Sequence, residues 1–205
     1  MTEPPYDITG LILAGGASQR MGRPKAQVEL SGQTILDRIR SKLTPICREI
    51  ILATNRPTDF FDCDLEIVQD LVPGRGPLGG LATGLFFAHY PWTLVMACDL
   101  PFVKPELLTL LAQKALTAPH GPRALIPQHA AGWEPLVAVY SKSCLKAALK
   151  LLAHERPRLQ DLRRQGVVFQ FVTEEELVKF DPDLISFINL NTPEDLERAR
   201  DLLGE

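Results

Sequence analysis

"LILAGGASQRMGRPK", residues 11–25, runs four apolar residues into a glycine pair and then into a loop carrying Arg20, Arg23 and Lys25. The apolar residues read as the end of a strand. Gly15 and Gly16 let the backbone turn sharply and bring N–H groups close to an anion with no Cβ in the way. In a parallel sheet, ligands sit beyond the carboxyl ends of the strands, where a loop after the first strand lies. With Arg20 and Lys25 adding full charges, a triphosphate is the natural guest of such a loop. Two common phosphate loops fail on spacing. A Walker loop needs Lys directly after its second glycine, whereas Gly22 is followed by Arg23, Pro24 and Lys25, and a dinucleotide loop needs G-x-G-x-x-G, whereas the glycines stand at 15, 16 and 22.

The rest of the chain supplies the sheet. Apolar runs bounded by turn formers occur at 8–14, 49–54, 65–69 and 93–98, and between them Ile35, Leu36, Ile39 and Leu43 fall at helical spacing, as does the mostly apolar stretch 78–89. Strands alternating with helices mean parallel β-α-β units. LILA and TLVMA are continuously apolar, as central strands covered on both faces are, and should be neighbours. Pro105 opens a helix carrying Leu107, Leu108, Leu110 and Leu111. Beyond about residue 120 the character changes, with short strands at 123–127 and 134–140 and helices near 142–153 and 158–165. This half reads as a lid or second-substrate subdomain. Thr192 caps a last helix that Pro193 begins, with Glu194 and Asp195 in its first turn. The segments 56–64 and 117–122 read as surface loops.

The chain has 205 residues, 45% of them hydrophobic, enough for one good core and too few for two independent ones. A net charge of −3 excludes a general nucleic-acid binder, so phosphate chemistry must come from a local cluster of cations. Cys47, Cys63, Cys98 and Cys144 are scattered without C-x-x-C spacing, which argues against a zinc site and a disulfide framework and points to a reducing cytoplasm. Residues 1–7 lack a signal-peptide pattern, and no apolar run approaches the roughly 20 residues that span a bilayer. A cytoplasmic protein without membrane segments is expected.

Asp99, just past the TLVMA strand, would face the same crevice as the glycine loop. A hard cation such as Mg²⁺ takes oxygen ligands and is often held by one carboxylate together with substrate phosphates, so a lone aspartate suffices. Asn55 and Asp70 occupy equivalent strand-end positions and can point at the crevice. The glycine- and proline-rich segment 71–80 precedes a helix and can offer backbone groups to a flat base, and its Arg75 is either a solvated charge or a triphosphate contact. Asn189 and Asn191, two apart near a strand end, would look the same way. Trp133 is either core or a stacking surface. Arg156, Arg158, Arg163 and Arg164 are either a solvated face or an anion site, and His89, His120, His129 and His154 show no metal or triad spacing.

L-A-G-G-x-S-x-R-M-G-x-x-K resembles the signature loop of the nucleotidyltransferases of GT-A-like, Rossmann-type fold, and its glycine pair is similar to that of the molybdenum cofactor guanylyltransferases. GPLGGLATGL (76–85), ACDLPFV (97–103), WEPLVAVY (133–140) and INLNTPEDLERA (188–199) match blocks of that family in order. The resemblance implies an α/β, single-domain Rossmann-like (GT-A-like) fold with a mostly parallel twisted sheet. Within it, about 7–118 would form a nucleotide-binding half and about 119–205 a pterin-binding half. It implies transfer of GMP from MgGTP to the terminal phosphate of molybdopterin, with Arg20, Lys25 and Asp99 as catalytic residues and Asp99 on the metal. GTP would be bound by Leu13, Ala14, Gly15, Gly16, Lys25, Asn55, Asp70, Gly76, Pro77, Leu78 and Asp99, and the pterin by Asn189 and Asn191. GTP and molybdopterin would be the substrates of a monomer that works beside molybdoenzyme-maturation proteins. Pro24 departs from the Asp found in many members and occurs in cytidylyltransferases of the same pathway, so a molybdopterin cytidylyltransferase, or another nucleotidyltransferase of this fold, is the alternative.

Overall fold

The computed structural model describes residues 5–15, 24–155 and 157–204. Gly16, Arg20, Gly22, Arg23 and Arg156 lie outside the described residues.

In chain order the elements are β1 (Tyr6–Leu13), β2 (Glu29–Leu30), β3 (Gln33–Thr34), α1 (Ile35–Leu43), β4 (Cys47–Ala53), β5 (Glu66–Val68), α2 (Gly76–Phe87), β6 (Trp92–Ala97), α3 (Pro105–Thr117), β7 (Arg123–His129), β8 (Gly132–Trp133), β9 (Val137–Ser141), α4 (Leu145–Leu152), β10 (Val168–Val172), α5 (Glu174–Leu177) and α6 (Pro193–Leu203). The sheet runs β10-β7-β9-β6-β1-β4-β5, with β8 attached to β7. β1 lies between β4 and β6, parallel to both, with Leu11 opposite Ile51 and Val95. LILA and TLVMA are thus the adjacent central strands that their apolar continuity predicts. β9 pairs antiparallel with both β6 and β7, so β7 and β10 again run with β6. The sheet therefore continues without a break from the first half of the chain into the second.

Both faces are covered. Ile8 and Ile12 of β1 pack with Ile35, Ile39 and Leu43 of α1 and Leu107, Leu108 and Leu111 of α3. Leu11 and Leu13 pack with Leu78, Leu81 and Leu85 of α2 and Ala148 and Leu151 of α4. α2 approaches β1 unusually closely: a Cβ on Gly84 would stand 2.2 Å from Leu11 Cδ2, and one on Gly80 2.8 Å from Leu13 Cδ2. Two glycines one helical turn apart thus bring α2 down onto the central strand, and its first turn with it to the carboxyl edge. Between β1 and α1, buried Ala26, Val28 and Leu30 alternate into the α1 face and anchor the segment that carries Lys25. The β2–β3 turn sits on Ser31 and Gly32, at φ +50° and +71°, the left-handed pair that a tight hairpin requires.

Several sequence expectations need correction. FINLN is not a strand: Ile185–Phe187 is a single 3-10 turn, and the chain then runs extended without a ladder partner, held by Leu190 N–H donating to the Asp99 carbonyl at 2.8 Å. Alternation along a strand therefore cannot align Asn189 with Asn191. The 158–165 helix is 3-10 over Leu159–Gln165, and β10 was not expected at all. Residues 57–60, expected as loop, also form a 3-10 turn. All four cysteines are free thiols, and burial pushes Cys47 and Cys98 up to about 12. Among the described residues, no helix is long and apolar enough to cross a membrane.

Candidate active site

Because β1, β4, β5 and β6 run the same way, their last residues gather on one edge. Each ladder extends one step beyond its strand: Ala14 N–H donates to the Ala53 carbonyl at 3.0 Å, Thr54 N–H to Val68 at 3.0 Å, and Cys98 N–H to Leu13 at 3.3 Å. The next side chains, Asn55, Asp70 and Asp99, therefore emerge together above the sheet.

Asn55 and Asp70 meet directly, Nδ2 donating to Oδ2 at 2.8 Å. Burial raises the Asp70 carboxyl, and the Asn55 amide partly opposes this. Asp70 lies over the start of α2, its oxygens 3.7 and 3.8 Å from where a Cβ would stand on Gly79 and Gly80. Leu71 N–H donates to Thr83 Oγ1, which itself donates to the Gly79 carbonyl, so the loop after β5 is bolted to α2. Gly76, at φ +60°, and Pro77 are exposed at its tip, whereas the side chains of Leu78 and Leu13 belong to the core. Any ligand contact from those two leucines would come from backbone.

Lys25, Asp99 and Asn191 form the second group. Lys25 Nζ donates to Asn191 Oδ1 at 2.7 Å. Burial raises the Asp99 carboxyl, and the nearby Lys25 ammonium works against that rise. Asp99 Oδ1 is buried and has no hydrogen-bond partner among the described residues. A carboxylate oxygen screened from water and left unpaired is costly unless a cation or donor completes it. Lys42, which the sequence did not single out, donates from its ammonium to the Pro101 carbonyl in the turn that Asp99 opens. Burial, and then the neighbouring Arg38 charge, lower its pKa to about 8.

Other candidates lie apart. Asn189 Nδ2 reaches only the Phe187 carbonyl, at 3.4 Å. Arg75 donates to the carbonyls of His154 and Glu155, at 3.0 and 3.3 Å, and so clasps the end of α4. His129, read as having no special spacing, is tightly held: its Nδ1 accepts from Ala131 N–H at 3.3 Å, its Nε2 faces Glu134 Oε1 at 3.0 Å, and its ring stacks on Phe187 at 4.7 Å. With Nδ1 accepting, Nε2–H is the donor and Glu134 Oε1 accepts. The stack pins the His129–Glu134 segment to the one bearing Asn189 and Asn191; His129 and Glu134 are five residues apart, but Phe187 is too distant in sequence for spacing to reveal it. Trp133 stands half-buried at the margin of the core, against Phe169 and Phe171, with the Arg163 guanidinium 5.5 Å from its ring centre.

The geometry has counterparts among known proteins. The model of the MobA-like NTP transferase domain matches residues 10–168. A probable molybdenum cofactor guanylyltransferase from Pelotomaculum thermopropionicum is 35% identical over 192 residues, covering 94% of this chain and 91% of the relative. A molybdenum cofactor guanylyltransferase from Desulfosudis oleivorans is 34% identical, covering 94% of each chain. The crystal structure of molybdopterin-guanine dinucleotide biosynthesis protein A from Archaeoglobus fulgidus superposes with a TM-score of 0.81 at 31% identity, covering 96% of this chain and 98% of that one. A family model spanning most of the sheet, and relatives alike over nearly the whole length, establish that this chain belongs to the MobA-like NTP transferase family.

Proposed function

We propose that the protein transfers GMP from GTP to the phosphate of molybdopterin, releasing pyrophosphate. The observation that carries this is the meeting of Lys25, Asn191 and Asp99, whose buried Oδ1 has no hydrogen-bond partner among the described residues, at the same sheet edge as the nucleotide-side pair Asn55 and Asp70. The attacking phosphate oxygen is already anionic, so no protein base is required, and the chain's work is positioning and charge stabilisation. Lys25, held by Asn191, neutralises phosphate oxygens as charge moves onto the leaving pyrophosphate, with Arg20 of the same loop assisting. Asn55 and Asp70 address the guanosine, and the backbone of Gly15, Gly16 and residues 76–78 closes around the nucleotide. The pterin enters from the side of Asn191 and the second half of the chain.

Asp99 fits a divalent cation, and we assign it Mg²⁺: a buried oxygen without a partner among the described residues suits a hard ion that shares its coordination with phosphates. When bound, such an ion supplies positive charge to the triphosphate and lowers the repulsion met by the incoming anion. Cytidylyl transfer is the second reading, favoured by Pro24. Pyrophosphate release with GTP, CTP and UTP, each with and without molybdopterin, tests both. Release that requires the pterin and prefers GTP is expected; equal release without it, or preference for CTP, would overturn the guanylyl assignment.

A further inference from the structure

A cleft of about 840 Å³, not lined by Lys25 or Asp99, lies between β8 and the 3-10 segment, walled by Trp133, Arg158, Gln160, Asp161, Arg163 and Arg164. Its composition is unlike that of the chain. Three arginines face one aspartate here, in a protein whose net charge is −3. Asp161 is already engaged: it accepts from Arg164 at 3.1 Å and from Arg158 N–H at 3.3 Å, so it braces the arginines more than it repels an anion. Trp133 offers an indole, backed by Phe169 edge-on and by Phe171 tilted against it, and the Arg163 guanidinium lies near both Trp133 and Phe169, at 5.5 and 5.8 Å from their ring centres. Gly132 keeps one side of the rim free of a side chain, and Gln160 adds an amide with both donor and acceptor.

The topology brings this cleft to the reacting edge. β8 follows the carboxyl end of β7, with Trp133 opposite Gln128. Three residues on, the Leu136 carbonyl accepts from Ala97 N–H at 3.0 Å, two residues before Asp99. Arg75, at the base of the nucleotide-side loop, is tied to residues 154 and 155 just ahead of the cleft's arginines. The β8 wall of the cleft thus stands at the same end of the sheet as the site, and the cleft's lining includes none of Asn55, Asp70 or the start of α2.

We infer that this cleft, with Trp133 as the stacking face and Arg158, Arg163 and Arg164 as the anion clamp, receives the acceptor substrate, a flat bicyclic heteroaromatic carrying a phosphate monoester. Its identification with the pterin rests on the reading under Proposed function. An indole and a guanidinium plane suit a flat conjugated ring, the arginine forks match a phosphate dianion, and Gln160 complements the amide-like edge of an aminopyrimidinone. Guanine shares that edge, so GTP is the competing occupant.

The test is direct binding, independent of turnover. The two tryptophans are Trp133 and the buried Trp92, so a Trp92→Phe protein reports on the cleft through its remaining indole. A pterin with a phosphate monoester on its side chain should quench that fluorescence saturably, and saturating MgGTP should leave the titration in place. By calorimetry, Trp133→Leu and Arg163→Gln should each weaken the probe tenfold or more, while GTP affinity stays unchanged and circular dichroism reports a native fold. Arg163→Lys should recover only part of the loss, because it restores charge but not the plane. Absence of probe binding to the wild type, equal binding by both folded variants, or displacement of the probe by GTP overturns the assignment. If probe binding behaves as expected and no nucleotide yields pyrophosphate with molybdopterin, the guanylyl reading falls and the cleft stands.

Discussion

Replacing Gly84 with alanine tests how the central strand and α2 position the site. The new Cβ would stand 2.2, 2.6 and 2.8 Å from Leu11 Cδ2, Cδ1 and Cγ. Carbon atoms in contact sit about 3.5–4.0 Å apart, so the helix must back away by roughly 1 Å or Leu11 must abandon its rotamer. Rotation alone does not suffice, since Cγ itself is too near and Leu11 is fully buried. Overpacking of this kind costs about 1–3 kcal/mol, and the better helix propensity of alanine returns up to about 1 kcal/mol. A net loss of about 1–2 kcal/mol is expected, which in a chain of this size lowers Tm by about 2–8 °C. Because α2 carries Gly76 at its start and the bed of Asp70, KM for the nucleotide should rise as well. Gly80→Ala, which meets only the far end of Leu13 at 2.8 Å, should cost less. Leu11→Ala alone should cost about 2–5 kcal/mol, yet the double variant should be more stable than the two losses added, because the new methyl fills the vacated space. Thermal and urea denaturation give these values. A Gly84→Ala protein with raised Tm and unchanged KM would refute the close approach and the link to the site.

Asp99→Asn keeps the shape and removes the charge, so the folded protein should lose about 10²-fold or more in kcat, and near-normal turnover at saturating Mg²⁺ would remove Asp99 from the chemistry. Lys25→Ala should weaken GTP by about 10–150-fold, the range for one charged hydrogen bond, while leaving guanosine binding nearly unchanged; equal losses for both ligands would contradict a phosphate role. Lys42 has its pKa lowered from 10.5 to about 8 by burial and then by Arg38. Between these values the unfolded chain binds the extra proton, so this group makes the fold more stable as pH rises through that window and is a burden below it. The stability of the wild type relative to Lys42→Met should therefore increase from pH 7.5 to 10 in chemical denaturation, and a flat difference would show that the ammonium is solvated.

The central β-α-β frame was legible because its signals are local: continuous apolar strands, helical periodicity in 35–43, and prolines at helix starts. Asp99, Asn55 and Asp70 were readable for the same reason, since a polar residue directly after a buried strand has one place to go. What escaped depended on distant partners. The Lys25–Asn191 bond joins residues 166 apart, and Lys42 reaches Pro101 across 59 residues. FINLN has the alternation of a strand but no neighbouring edge to pair with, so tertiary context overrode its pattern. VFQFV was the reverse case, a β-branched and aromatic run whose signal was present and whose partner, β7, lay 45 positions earlier, Val168 opposite Arg123. Arg75, read in sequence as a solvated charge or a triphosphate contact, instead donates to the carbonyls that follow α4, partners that lie about 80 positions further along the chain.

The reversed direction of β9 sets the order in which the chain can be completed during synthesis. Residues 6–97 supply four mutually paired strands, β5, β4, β1 and β6, and can knit as they emerge. β7 emerges next, but it reaches that nucleus only through β9, which is made later and must slip in between. A nascent chain stopped anywhere from 130 to 136 would carry a buried-type strand without its seat, and a truncation there should yield an aggregating product rather than a smaller working unit.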